Sequence, residues 1–293
     1  MEMTEQQILD RMRMDLELSG HNESTIKTYQ RRVQAFQAYF SKPADQLGEN
    51  ELREYLHHQL KDRGLMASTV NNINSSLRYL YDITLDCPIN RRRVPYAKRI
   101  RRLPILPDKD ELEIIFTNTR ELRYRAIFMT IYGSGLRVSE AANLLVTDID
   151  SKNMRIFIRQ GKGGKDRYAL LPQRTLCILR EYYKAYKPKK WLFISKNGGH
   201  ITAQSIETAL HAAVESSGIQ KHITVHTLRH CFATHLLNEG KNIYQIKRLL
   251  GHVRLDSTTW YLHLSDTETM NLVSPLDNTS VNNGGLTPPK HNG

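Results

Sequence analysis

Residues 91–104 read RRRVPYAKRIRRLP, and this stretch limits what the rest of the chain can fold into. It carries seven Lys/Arg and no acid, and prolines at 88, 95, 104 and 107 keep the flanking backbone extended. A hydrophobic core does not run through so dense a charge, so the chain is expected to fold as two bodies joined here. A length of 293 residues suits two ordinary domains, and a hydrophobic content of 40% is enough for a core in each. We read residues 1–88 as one domain, 89–105 as a basic interdomain linker and 106–275 as a second domain. Residues 276–293, polar with Gly and Pro, read as a disordered tail.

The first domain reads as all-helical. In TIKTYQRRVQAFQAYF the apolar residues Ile26, Tyr29, Val33, Phe36 and Phe40 recur at spacings that mark one helix face. Lys27, Arg31 and Arg32 fall off that stripe and are expected to be open to solvent or to a ligand. STVNNINSSLRYLYDI repeats the pattern with Val70, Ile73, Leu77 and Leu80, and Ser68 is the expected N-cap. ELREYLHHQLKDRG, closed by Gly64, and residues 5–18 complete a four-helix bundle.

The second domain reads as mixed α/β, mainly helical with a small antiparallel sheet. DELEIIFTN and RYRAIFMTIYGSGL are helical. RIFIRQGKGGKDRYALLP alternates on both sides of a glycine-rich turn, as a β-hairpin does, and WLFIS reads as another short strand. AQSIETALHAAVESSG, HTLRHCFATHLLNEG and IYQIKRLLGH are helices stopped at Gly218, Gly240 and Gly251.

Charge points to a polyanion. The formal net charge is +12, yet residues 1–90 hold 10 Lys/Arg against 13 Asp/Glu, a balance of −3. The positive charge therefore lies in the linker and beyond it. An extended strap with Arg91, Arg92, Arg93, Lys98, Arg99, Arg101 and Arg102 suits a phosphate backbone, and nucleic acid is the first candidate partner. Three cysteines, Cys87, Cys177 and Cys231, form no C-x-x-C pair, which argues against a zinc ribbon or a disulfide framework. The charged N-terminus does not read as a signal peptide, and no apolar run of about 18 residues occurs to span a membrane. An intracellular, reducing compartment is expected.

Four stretches carry residues suited to phosphate chemistry. GSGLRVSEAANL places Arg137 after two glycines, with Glu140 three residues on; arginine's planar fork of donors matches two phosphate oxygens. GKGGKDR puts Lys162 in the hairpin turn, where an ammonium can protonate a leaving oxygen. VHTLRHCFATHLL sets His226 and Arg229 on one side of a helix start, with His230 and His235 further along. LLGHVRLDSTTWYLHL supplies His252 and Tyr261. His226 and His230 have the spacing of half a zinc helix, but position 227 is Thr rather than the Glu of H-E-x-x-H, and no ligand cluster completes a site. No metal is expected, and no G-x-x-x-x-G-K-[ST] loop suggests a nucleotide.

Arg137 in GLRVSE, Lys162 in GKGGKDR, His226 and Arg229 in HTLRH, His252 in LGH and Tyr261 in STTWYLH resemble, in order and spacing, the tyrosine recombinases, or phage integrase family. The resemblance covers about residues 5–270 and is nearest in layout to Xer-type and mobile-element recombinases. It implies an N-terminal core-binding domain and a catalytic domain. It also implies site-specific cutting and rejoining of duplex DNA through a covalent 3′-phosphotyrosine, for integration, excision, transposition or resolution. Tyr261 would be the nucleophile, Arg137 and Arg229 the phosphate clamp and Lys162 the acid for the 5′ oxygen. His226 would assist at the tyrosine, His252 would bond the phosphate and Glu140 would orient the arginines. No cofactor is implied. The family works as a tetramer on DNA, alone or with a partner recombinase, in the prokaryotic cytoplasm at the nucleoid. SDTETMNLV, capped by Ser265 and Glu268, would be the segment that docks on a neighbour. A type IB-like topoisomerase and a non-catalytic DNA-binding accessory protein are the rival readings.

Overall fold

A computed structural model of the chain describes residues 3–98, 105–159 and 166–251. Lys162, His252, Tyr261, Arg99, Arg101, Arg102, the docking segment and the tail expected at 276–293 lie outside the described residues. The chain divides into two compact units, Met1–Arg102 and Leu103–Gly293.

The first unit holds α1 (Glu5–Leu18), α2 (Glu23–Phe40), α3 (Glu49–Lys61) and α4 (Ala67–Tyr79). α1 begins in a capping box, with the Thr4 hydroxyl accepting from the Gln7 N–H and the Gln7 side chain accepting from the Thr4 N–H. On α2 the stripe holds: Ile26, Val33 and Phe36 are buried, while Tyr29 and Phe40 pack at the edge of the same core. α4 buries Val70, Ile73 and Leu77, but it starts earlier than Ser68 predicts. Met66 occupies the cap position without a side-chain hydrogen bond, and Ser68 lies in the first turn. After α4 a π-turn, Leu80–Thr84, carries Tyr81 into the core, where its hydroxyl donates to the Leu47 carbonyl at 2.7 Å.

Two further expectations change here. Arg32 is half-buried and donates to the Asn72 carbonyl (2.8 Å) and the Ser76 hydroxyl (2.9 Å), so it fastens α2 to α4 instead of facing solvent. The first half of the basic strap is not a free extended segment. Residues 91–93 form a turn, and Val94 is buried. The Asn71 side chain bonds both the N–H (2.7 Å) and the carbonyl (2.9 Å) of Ala97. Buried Arg78 donates to the carbonyls of Ile89 and Val94. A side-chain amide satisfies one residue's donor and acceptor together, which is why Asn71 holds chain that has no sheet or helix partner.

The second unit is built around α6 (Leu122–Ser134), whose Ile127, Phe128 and Ile131 are fully buried. α5 (Lys109–Asn118), α8 (Gln173–Tyr186), α9 (Ala203–Ser216) and α10 (Val225–Asn238) pack against it. A three-stranded antiparallel sheet runs in the order β1 (Ile149–Asp150), β2 (Arg155–Ile158), β3 (Arg167–Leu170). Ile156 pairs with Ala169 and Ile158 with Arg167, so the period of two puts Arg167 on the same face as buried Ala169. Short α7 (Val138–Ala142) and α11 (Ile243–Leu250) complete the unit. WLFIS is not a strand: it makes only isolated bridges, Leu145 to Trp191 and Ile194 to His200, and its consecutive Leu192 and Phe193 are both buried. The sequence reading assigns nothing to 173–186, although Leu176, Leu179 and Tyr182 form the apolar face of α8. His235 supports the fold, its Nδ1 2.9 Å from the Tyr132 hydroxyl on α6.

α6 stops at Gly135, which has a left-handed φ of +63°. A Cβ there would lie 2.5 Å from the Phe232 ring and 3.0 Å from a Leu250 methyl. Gly240 has a similar φ, +74°, with no atom near the same position. Gly240→Ala is therefore expected to cost only the left-handed strain, about 1–2 kcal/mol, and Gly135→Ala to cost about 1–3 kcal/mol more through overpacking. Equal shifts of the denaturant midpoint would contradict this packing.

Candidate active site

Gly135 turns the chain out of α6, buried Leu136 anchors it, and Arg137 follows as the N-cap residue of α7. The Arg137 N–H donates to Glu140 Oε2 at 2.8 Å, and its Nη1 donates to Oε1 at 2.7 Å. Glu140 at the third position of the helix thus supplies the acidic half of a capping box and holds the arginine's own side chain. Arg137 keeps 21% of its side chain exposed, whereas Glu140 keeps 6%.

Two more arginines reach Glu140 from distant elements. Arg167 on β3 makes a two-pronged contact, Nη1 to Oε1 at 2.8 Å and Nη2 to Oε2 at 2.9 Å. Arg229, one turn into α10, has its Nη1 3.6 Å from Oε2. Arg229 is 1% exposed and donates to the Gly135 carbonyl and, at 2.7 Å, to the Leu250 carbonyl. Arg167 Nε donates to the Leu249 carbonyl at 3.0 Å. The last carbonyls of α11 are the negative end of a helix dipole, and both arginines are placed to meet it. Burial alone would raise the Glu140 carboxyl, but the Arg167 fork, followed by the Arg137 N–H and charge, holds it below the usual carboxylate range.

α10 opens with Thr224 as N-cap, its hydroxyl accepting from the Thr227 N–H, so His226 sits in the first turn. The rings of His226 and His230 meet edge-on with centroids 4.3 Å apart. Part of His226 reaches solvent, yet desolvation of its ring by the surrounding protein, then Arg229 and Arg137, lower its basicity, while Glu207 opposes them. His230 is pushed down to about 4 by burial, then by His226 and Arg229. Both histidines are therefore neutral at pH 7. Among the described residues no group of three or more His, Cys, Asp or Glu is arranged to hold a metal. Cys231 packs in the core with its thiol 3.7 Å from the Pro107 carbonyl.

Of the residues expected to carry chemistry, Arg137, Glu140, His226 and Arg229 are brought together. Lys162, His252 and Tyr261 are outside the described residues. Arg167 is the member that the sequence reading misses. Its signal was the alternation of β3, which turns Arg167 toward the core face, where an unpartnered arginine is too costly to keep. Of the expected DNA-binding residues, Lys27, Arg31, Arg91, Arg92 and Lys98 are exposed. Lys27 on α2 lies 3.5 Å from Glu23, and Arg93 in the strap is paired with Glu49 at 3.0 Å, so these two charges are opposed.

Residues 107–268 match the model of the phage integrase family, and residues 8–91 match that of the phage integrase N-terminal SAM-like domain. The chain belongs to the phage integrase family, the tyrosine recombinases. A tyrosine recombinase of Thermosipho africanus is 32% identical over 270 residues, 87% of this chain and 94% of the relative. The tyrosine recombinase XerC of Listeria monocytogenes is 31% identical over 287 residues, 89% and 93% of the two chains. Among solved structures, XerA recombinase is 26% identical with a TM-score of 0.54, covering 91% of this chain and 96% of that one. A lambda integrase dimer bound to a COC′ core site shares the fold at 18% identity, with a TM-score of 0.74 over 88% of this chain and 95% of that one. The recombinase is accordingly an enzyme that breaks and rejoins DNA at specific sites. Among its described residues no helix is long and apolar enough to cross a membrane.

The neutral histidines give the recombinase an acid-sensitive site. His230 has a folded-state pKa of about 4 against 6.5 for an ordinary histidine, so the unfolded chain binds the extra proton first. Stability is expected to fall as pH drops from about 6.5 toward 4, with Glu140 adding its loss below the ordinary carboxylate range. His230→Gln should flatten the melting-temperature profile across that window; an unchanged slope would place the acid sensitivity elsewhere.

Proposed function

We propose that the recombinase cleaves each strand at a phosphate gripped over the Arg137–Glu140–Arg229 cluster, with Tyr261 as nucleophile. The observation that carries this reading is the convergence of three guanidinium groups, from α7, β3 and α10, on the single carboxylate of Glu140. Concentrated positive charge at a largely dry site suits a phosphate that gains charge in its five-coordinate transition state. Arg137, with exposed donors, would touch the phosphate oxygens. Arg229 would act from beneath as a fixed charge whose orientation is set by the Gly135 and Leu250 carbonyls.

In the proposed step the Tyr261 oxygen forms a bond to phosphorus, and the bond to the 5′ oxygen breaks. A phenol with a pKa near 10 is a weak nucleophile at pH 7. His226, its basicity lowered, would help remove the phenol's proton. Lys162 would protonate the departing 5′ oxygen, and His252 would bond a phosphate oxygen. The phosphotyrosine conserves the bond energy, so rejoining needs attack by a 5′ hydroxyl and no nucleotide.

Residues 1–88 would bind the core of the DNA site and 106–275 would carry catalysis. The 89–105 segment, with Lys27 and Arg31 on α2, would add phosphate contacts. Strand exchange between two duplexes calls for four active sites, and a tetramer on DNA, with itself or a partner recombinase, follows from that count. The cytoplasm of a prokaryotic cell, at the nucleoid, is the setting this role requires.

The test is covalent capture. Protein and sheared source DNA are mixed in EDTA and stopped with detergent, and the DNA left attached is sequenced. Wild type should give adducts ending at one defined sequence, and Tyr261→Phe should give none. If wild type binds DNA yet forms no adduct, the protein is an accessory DNA binder and the catalytic reading is wrong.

A further inference from the structure

Arg167 is the one strongly engaged charge of the cluster with no part in the chemistry described above. Its side chain is 11% exposed, too closed to serve as an outward DNA contact. All three of its nitrogens are used, two on Glu140 and Nε on the Leu249 carbonyl. The end of α11 passes tightly over it. Gly251 has φ +64°, and a Cβ there would lie 2.8 Å from Arg167 Cδ. In sequence, Gly251 is followed at once by His252.

We propose that Arg167 is a positioning residue for strand cleavage: it ties Glu140, and through it Arg137, to the end of α11 that leads into His252. The proposal rests on the recombinase reading of this site. One planar group spans two elements, α7 with its cap residue Arg137 and the end of α11, after which the sequence continues into His252. Only arginine has this reach, because the carboxylate takes the two terminal nitrogens while Nε points sideways to a carbonyl. A lysine keeps the charge, but its three donors share one nitrogen and cannot span the carboxylate fork and the Leu249 carbonyl together. Arg229 makes the matching link, from Glu140 to the Leu250 carbonyl, so the last two residues of α11 are each tied to Glu140. Among the described residues, the charged groups facing Glu140 are Arg137 on its own helix, Arg167 from β3 and Arg229 from α10. Arg167 is the largest of the influences that lower the Glu140 carboxyl, so removing it raises that carboxyl toward the assay range.

The experiment uses the full-length protein and the DNA site found by covalent capture. Single-turnover adduct formation, DNA affinity and melting temperature are measured from pH 5.5 to 8 for wild type, Arg167→Lys, Arg167→Ala and Tyr261→Phe. Both Arg167 variants should bind DNA within about threefold of wild type and form adduct on the order of 100-fold more slowly. The acid limb of the rate profile should move to higher pH, and lysine should not rescue the rate. Arg167→Lys carries the test should the alanine variant fail to fold. Wild-type rates in both variants, full rescue by lysine, or a slower rate with an unmoved acid limb would each overturn the proposal. A wild type that forms no adduct would instead overturn the recombinase reading itself.

Discussion

The catalytic unit depends on one carboxylate. Glu140 is nearly buried, and it stays ionised there because three arginines surround it. Removing a charge from water costs several kcal/mol after relaxation, and that cost is offset only where geometry is good and the remaining donors are satisfied. Here the carboxylate accepts from the Arg137 N–H and the Arg167 fork, while Arg167 and Arg229 donate also to the carbonyls of Leu249, Gly135 and Leu250. Losing Glu140 would leave positive charges facing one another, so the loop after α6, strand β3 and helices α10 and α11 are held in register by it.

The fold is arranged to deliver these groups. α6 fixes the height of Gly135, and the tight fit of Phe232 and Leu250 around that glycine sets where the Arg137 turn lies. β3 points Arg167 inward by strand alternation, and α10 points Arg229 inward from a capped first turn. Burial first, and the neighbouring positive charge after it, lowers the basicity of His226 and His230, so neither adds a further cation to the cluster near neutral pH. The site can therefore hold an anion and accept a proton at the same pH.

Much of this was legible in the sequence because each feature was local. Helix stripes, the hairpin alternation and the glycine stops depend on neighbours within a few residues, as Ile26–Phe36 and Gly251 show. The convergence of Arg137, Glu140 and Arg229 was anticipated through the resemblance to a family, which supplied the company that a lone Arg137 lacks. What escaped depends on long-range partners. Arg32 looked solvent-facing until α4 offered a carbonyl and a hydroxyl. The strap from Val94 to Ala97 looked free until Asn71 and Arg78 met it. WLFIS has strand composition but pairs only through single bridges, at Trp191 and at Ile194. Arg167 escaped because its role lies in joining Glu140 to Leu249, which are far apart in the chain.

The central claim is that Arg137 acts on the charge of the scissile phosphate and not merely on the fold. The most direct measurement compares adduct formation on a normal phosphate with that on an uncharged methylphosphonate at the same position. Wild type and Arg137→Ala are each tested on both. If the arginine neutralises phosphate charge, its loss should slow cleavage of the phosphate by about 10²–10³-fold and cost far less on the neutral linkage. An equal loss on both would show that Arg137 serves the structure, and that the phosphate is held elsewhere.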